Sequence, residues 1–304
     1  MRRKSPPSEA PDTTALLQGY TLGLSFPLDV MVSTQNAKRK VEGARIHVFS
    51  GLMPDGSFVD VGEGIFVASP EFCFLLMARE LELTRLIELG YGLCGMYMQL
   101  QENSSSTAGR VLSGKSLRDR SRPTSKKRLS AFLSRMSGVS GKNRAQRALR
   151  YVANGSASPM ETKLAMLLVL PNMLGGYALP MPELNSEIVP PKSLRQSLSQ
   201  GSFFCDLYWR KPDVAVEYDS DEHHSGSLAM SKDSIKRNVL ALSETYVISV
   251  TKRQVYSTVE LERVAKLVAK SIGHRLRYKE CAKFDLAHQK LRMMLLFPSS
   301  TKDI

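Results

Sequence analysis

Cysteine is scarce in this chain. Its 304 residues hold four, at positions 73, 94, 205 and 281, and none are paired at Cys-x-x-Cys spacing. That argues against a disulfide framework and a cysteine zinc site, and leaves the cysteines as small hydrophobes suited to a reducing cytoplasm. Long apolar runs are missing too. None approaches the roughly 18 residues of a membrane span, so no membrane partner is expected. Met1 to Thr14 combine Arg, Lys, Pro and Ser without an apolar core, and read as a frayed terminus, not a signal peptide. There is no internal repeat. Acidic residues are nearly absent from one stretch: between Arg110 and Arg150 thirteen Lys and Arg stand against a single acid, Asp119. The whole chain carries +13, so the flanks are close to neutral and the charge belongs to one connecting region. Phosphate is the polyanion that such a block would meet. The alternative is a solvated, flexible basic linker.

What is present is ample apolar material. Hydrophobic residues make up 42%, enough for real cores, and the length suits two ordinary domains. The chain reads as α/β in three parts: a small α+β domain at 15–100, a basic linker with helices at 101–155, and an α/β domain at 156–300. In the first, Arg45 to Ser50 is strand-like. Pro54, Asp55 and Gly56 signal a turn between it and short strands at Ser57 to Val61 and Ile65 to Ala68. Ser69, Pro70 and Glu71 supply a cap, a first-turn proline and a dipole-matched acid for a helix. A second helix is expected over about 84–97. No helix-turn-helix is evident in 15–100. Residues 101–125 lack periodicity. Leu129, Phe132, Leu133 and Met136 then recur at helical spacing, Gly138 to Gly141 interrupts, and Asn143 to Val152 resumes.

The third part opens with a helix from Ser158 to about Leu170. A Pro/Gly-rich loop is expected over 171–198, then strands at 203–209 and 214–219, a polar loop, a helix at about 231–243, a strand at 246–250, and helices near 258–277 and 279–296. Joined through the four residues 210–213, the first two strands pair 209 with 214, 208 with 215, 207 with 216 and 206 with 217. Cys205, Leu207, Trp209, Val214, Val216 and Tyr218 then form a core face. Phe204, Asp206, Tyr208, Ala215, Glu217 and Asp219 form the other. Asp206 and Glu217 stand opposed, with Cβ atoms about 4.5–5.5 Å apart, and a slip of one residue would drive the acids into the core. Opposed like charges are kept for a cation or a shared proton. A hard divalent ion held by carboxylate and carbonyl oxygens answers the first case, and would activate water and neutralise a phosphodiester. His223 and His224, just past the strand, are placed to act as general base or to donate to a leaving oxygen. The alternative is an acidic, solvated sheet edge. Glu161 carries two readings of equal standing: a catalytic acid, or the Glu of a capping box with Ser158.

Taken in order, Ser158-Pro159-x-Glu161, Phe204-Cys205-Asp206-Leu207, Val216-Glu217-Tyr218-Asp219, His223-His224, Lys232-Asp233-x-x-Lys236-Arg237-Asn238 and Tyr246 to Thr251 resemble a bacterial domain family related to very-short-patch repair endonucleases, within the PD-(D/E)xK nuclease superfamily. The resemblance spans about 156–256. It implies a restriction-endonuclease-like domain with a helix, a central mixed sheet and a helix. Asp206, Glu217 and the Tyr218 carbonyl would hold Mg²⁺ or Mn²⁺, with Asp219, His223, His224 and Glu161 as further catalytic residues. Asp219 stands where many members keep lysine, and the histidines would then take that lysine's part. Asp233 and Arg237 resemble the polar positions of the following helix, or are simply its solvated face. The first domain and the stretch from Gly141 to Ala148 resemble regions of proteins related to AbiE-type antitoxins. Together these imply a cytoplasmic metal-dependent DNA endonuclease of repair or phage defence. Lys126, Lys127, Arg128, Lys142, Arg144, Arg147 and Arg237 would lie on DNA, with a toxin or a second copy of the chain as a further partner. The alternative is a non-catalytic DNA-binding regulator or antitoxin on a nuclease-derived scaffold.

Overall fold

The computed structural model describes residues 6–8, 26–51, 53–62, 65–97, 122–188, 203–219, 245–278 and 282–297. They form a mixed α/β fold. The chain divides into two compact units. One comprises Met1–Glu80, Gln99–Arg120 and Lys127–Gln146; the other comprises Leu81–Met98, Ser121–Lys126 and Arg147–Ile304. Among the described residues no helix is long and apolar enough to cross a membrane.

In the first unit β1 (Leu28–Val32) runs parallel to β2 (Ala44–Val48), with Leu28 opposite Ala44. Strand β1 was not evident in the sequence. Strands β3 (Phe58–Gly62) and β4 (Ile65–Ala68) form an antiparallel hairpin. The turn expected at 54–56 precedes it, with Gly56 at φ +85 and the Ser57 hydroxyl donating to the Pro54 carbonyl at 2.7 Å. Helix α1 (Pro70–Glu80) starts as its residues require: Ser69 Oγ accepts the Phe72 N–H at 3.3 Å. Its Phe72 is fully buried and meets Phe49 and Phe58 edge-on, with centroids 5.1 and 5.5 Å away. Phe132 reaches the same ring at 6.1 Å. This explains why Lys127–Gln146, read from sequence as part of a linker, belongs to this unit: the spacing of Leu129, Phe132, Leu133 and Met136 buries all four.

Helix α2 (Leu83–Cys94), α3 (Lys126–Arg135) and α4 (Lys142–Leu149) follow. Between α3 and α4 the chain reverses through Gly138 and Gly141, at φ +65 and +88, left-handed positions that disfavour a Cβ. Helix α2 was grouped with the N-terminal part in the sequence reading. It belongs to the second unit, where it packs on α5 (Pro159–Val169) and buries Leu86, Ile87 and Tyr91.

Helix α5 is apolar on almost every side, with Leu164 to Leu168 fully buried. A helix apolar all round needs neighbours all round. It has α2, a sheet strand and the last helix, α8 (Ala282–Leu296). The four-stranded sheet runs in the order β5 (Glu183–Ile188), β6 (Phe203–Trp209), β7 (Val214–Asp219), β8 (Tyr246–Thr251). Strand β5 corrects the expectation of a loop over 171–198. Its sequence, Glu-Leu-Asn-Ser-Glu-Ile, is too polar to read as a buried strand, yet Leu184, Ser186 and Ile188 alternate inward while Glu183 and Glu187 are exposed, as an edge strand allows. Strands β6 and β7 have the expected bounds and three of the four expected pairs, Leu207 opposite Val216, Tyr208 opposite Ala215 and Trp209 opposite Val214; the ladder ends before Asp206 and Glu217. Their turn is fixed by Asp213, at φ +72, whose Oδ1 accepts from the Tyr208 and Thr245 hydroxyls at 2.5 and 3.1 Å. Strand β8 is parallel to β7, with Val214 opposite Tyr246. After it come α6 (Lys252–Tyr256), short and not foreseen, and α7 (Thr258–Ser271).

Candidate active site

The first acid comes from the start of α5. Ser158 is its N-cap, and Pro159 follows in the first turn, where no N–H is needed. Ser158 Oγ accepts the Glu161 N–H at 3.1 Å, while Glu161 Oε2 accepts the Ala157 N–H at 2.7 Å. The capping alternative for Glu161 is therefore realised, with the returning bond one residue earlier than a strict capping box has it. Capping does not account for everything about this side chain. Glu161 is only 7% exposed. Burial pushes its carboxyl above the ordinary range, the capping N–H groups pull it back, and the negative charge of Glu217 pushes it up further. Glu161 and Glu217 thus lie within electrostatic reach of each other.

The other acids come from the sheet. The paired ladder ends at Leu207–Val216, and Asp206 and Glu217 are the next residues on β6 and β7. There the Asp206 carboxylate accepts the backbone N–H of Tyr218 through Oδ2, at 2.7 Å. A side chain takes a hydrogen bond from the strand next to it, which fixes the carboxylate at the junction of β6 and β7. Glu217 is half-buried and its Oε1 is shielded from solvent. Asp219 ends β7, half-buried, opposite Thr251 of β8.

One correction concerns the acid-bearing face. It was expected to oppose the core, but its first half is itself core. Tyr208 and Ala215 are buried in one cluster with Ile188 and Cys205, and Val247 packs on it. Cys205 joins this cluster although strict alternation put it on the opposite face. The acids thus stand at the end of a covered sheet face, not along an open one.

The chain matches no protein-family model, no curated protein and no solved structure.

His223, His224, Lys232, Asp233 and Arg237, and the helix expected at 231–243, lie outside the described residues. Among the described residues no group of three or more His, Cys, Asp or Glu is gathered as a metal site. What the structure does show is Asp206 and Glu217 on adjacent strands just past the last paired residues, with the charge of Glu217 acting on the buried Glu161. Two positions escaped the sequence reading. Asn185, at φ +46, lies beside Asp206 in the β5 register, and Ser249 lies opposite Glu217 in the β8 register. The first was missed with its strand. The second depends on a parallel register that no turn length dictates.

The basic residues divide by what they touch. Lys127 and Arg147 are exposed. Arg128 forms an ion pair with the buried Glu71 at 2.9 Å. The Lys126 backbone N–H donates to the Asn154 side chain at 2.8 Å and its ammonium to the Arg150 carbonyl at 3.4 Å, while burial pulls that ammonium below the ordinary lysine range. Lys142 donates to the Met136 carbonyl just past α3. Arg144 donates to the carbonyls of Ala78 and Arg79 in the last turn of α1, at 3.3 and 3.5 Å. Such bonds satisfy helix C-terminal carbonyls that have no partner within the helix.

Proposed function

We propose that the chain is a metal-dependent endonuclease that hydrolyses DNA phosphodiester bonds, with a restriction-endonuclease-like second unit. The observation that carries this is the place of Asp206 and Glu217 on adjacent strands just past their last paired residues, where the Asp206 carboxylate takes the N–H of Tyr218, next to Glu217, and the charge of Glu217 acts on Glu161 of α5. Juxtaposed acids are costly in a fold, and a cation is the usual compensation. The order of α5, the mixed sheet and the helices after it supports the same reading.

The donor set fits a hard cation. Asp206, Glu217 and the Tyr218 carbonyl offer only oxygen, which suits Mg²⁺ or Mn²⁺. When bound, such an ion neutralises phosphodiester charge and lowers the pKa of water. The protein's own part is to hold the donors. The Tyr218 N–H fixes Asp206, and the α5 cap fixes Glu161. Glu161 keeps a proton to higher pH than an ordinary glutamate, which suits an acid beside an anionic substrate.

The test is incubation of purified protein with Mg²⁺ or Mn²⁺ and single-stranded, duplex and mismatched DNA. Cutting that disappears in Glu217→Gln supports the reading; uncut DNA under all conditions overturns it. A second reading is a non-catalytic DNA-binding regulator or antitoxin on the same scaffold. Asp219 in the place of the superfamily lysine favours it, as does the structural bond that Asp206 already makes to Tyr218. It requires DNA binding that survives both Asp206→Asn and Glu217→Gln.

A further inference from the structure

The first unit holds a cavity of about 770 Å³ where the end of α1, the loop between α3 and α4, and the first turn of α4 meet. Its size is that of a ligand pocket, roughly 300–1,000 Å³, but its chemistry differs from one. Arg79, Lys142 and Arg144 line it together with the hydroxyl-bearing Ser137 and Ser140 and the amide of Asn143. Among the described residues no carboxylate and no aromatic ring belongs to the lining. We infer that this cleft docks the sugar–phosphate backbone of a nucleic acid, a role that rests on the DNA-binding part of the reading above and not on cleavage.

The occupant follows from what lines the cleft and what does not. Three cations with hydroxyl and amide groups are the donors that contact phosphate oxygens. Without an aromatic face the cleft offers nothing for a base to stack on, which argues against a free nucleotide as ligand. A backbone phosphate needs no base recognition. Arg79 is the informative residue. It lies on α1, outside the basic stretch of 110–150, yet it is exposed and on the same cleft as Lys142 and Arg144. The fold thus brings a distant cation to the charge block. Lys142 and Arg144 also close helix ends through the carbonyls of Met136, Ala78 and Arg79, which fixes where their side chains lie.

The test is fluorescence anisotropy of the full chain with a labelled DNA duplex, in EDTA, from 50 to 300 mM salt. The variants are Arg79→Gln and Ser140→Asp. Lys142 and Arg144 are left alone because they hold the fold. Removing one phosphate contact lowers the slope of log K against log salt by about 0.9, and the affinity about eightfold at 0.1 M salt. Arg79→Gln is expected to show both. Ser140→Asp is expected to weaken binding while leaving the melting temperature unchanged or higher, because an acid near the start of α4 favours the helix. Wild-type slope and affinity in both cleft variants would overturn the inference. So would a wild-type chain that binds no duplex, or a duplex displaced by micromolar mononucleotide. Binding that behaves as expected without any cutting leaves this cleft in place and removes only the nuclease.

Discussion

Replacing Glu217 by glutamine should make the metal-free protein more stable, because it removes one of two opposed charges without changing the size of the side chain. The expected gain follows from the register. The paired ladder ends at Leu207–Val216, with Asp206 and Glu217 the next residues on their strands; at cross-strand spacing their Cβ atoms would stand about 4.5–5.5 Å apart. Two charges about 6 Å apart repel by about 3 kcal/mol at an effective dielectric constant near 20. Both residues are half-buried, and the partial contact with water and salt reduces this to about 1 kcal/mol. For a unit of 150–250 residues that is a rise of about 2–4 °C in melting temperature. The assay is thermal melting of wild type and Glu217→Gln at neutral pH, first in EDTA and then with magnesium. Magnesium should reverse the order. A ligand at one hundred times its Kd stabilises the form that binds it by about 2.7 kcal/mol, and only wild type keeps both donors. If Glu217→Gln melts below wild type in EDTA, or if magnesium raises both equally, the argument from opposed carboxylates is wrong.

Three further outcomes are expected. Gly175→Ala should destabilise the second unit by about 3 kcal/mol or more in urea titration: the residue sits at φ +89, and its new Cβ would lie 2.3 Å from the Ala287 carbonyl oxygen, so left-handed strain of about 1–2 kcal/mol adds to displacement of α8. His288 is buried, with Nδ1 2.7 Å from the Gly175 carbonyl, and burial together with Arg292 holds it below the ordinary histidine range against the Gly175 bond, Asp285 and Glu262. Its stabilising share is therefore complete above about pH 6.5 and lost as pH falls through its lowered value; stability measured from pH 7.5 to 5 should decline in wild type and decline less steeply in His288→Gln. Ser158→Ala should cost about 1 kcal/mol in thermal melting, because the Glu161 N–H loses its acceptor at the start of α5.

How far the sequence reading reached follows from how local each feature is. The β6–β7 register was legible because four residues join the strands and a one-residue slip would bury Asp206 and Glu217 wrongly; short turns and alternation leave one solution. Helix starts at Ser69 and Ser158 were legible because a cap is a contact over three residues. Strand β5 was not, because an edge strand buries only half its side chains and Leu184 and Ile188 are too few to stand out among polar neighbours. Ser249 opposite Glu217 was out of reach for another reason: a parallel pair is joined by a long crossover, which fixes neither order nor register. Charge was legible in amount but not in use. Lys142 and Arg144 counted equally with Lys127 and Arg147 in the basic stretch, yet the fold turns the first two onto helix carbonyls. Arg79 completes the argument. It was invisible as a neighbour of the basic stretch because no window of sequence holds it together with Lys142. Only the packing of α1 against the Gly138–Gly141 turn, close enough that a Cβ on Gly141 would lie 3.0 Å from Arg79 Cγ, puts the two on one cleft.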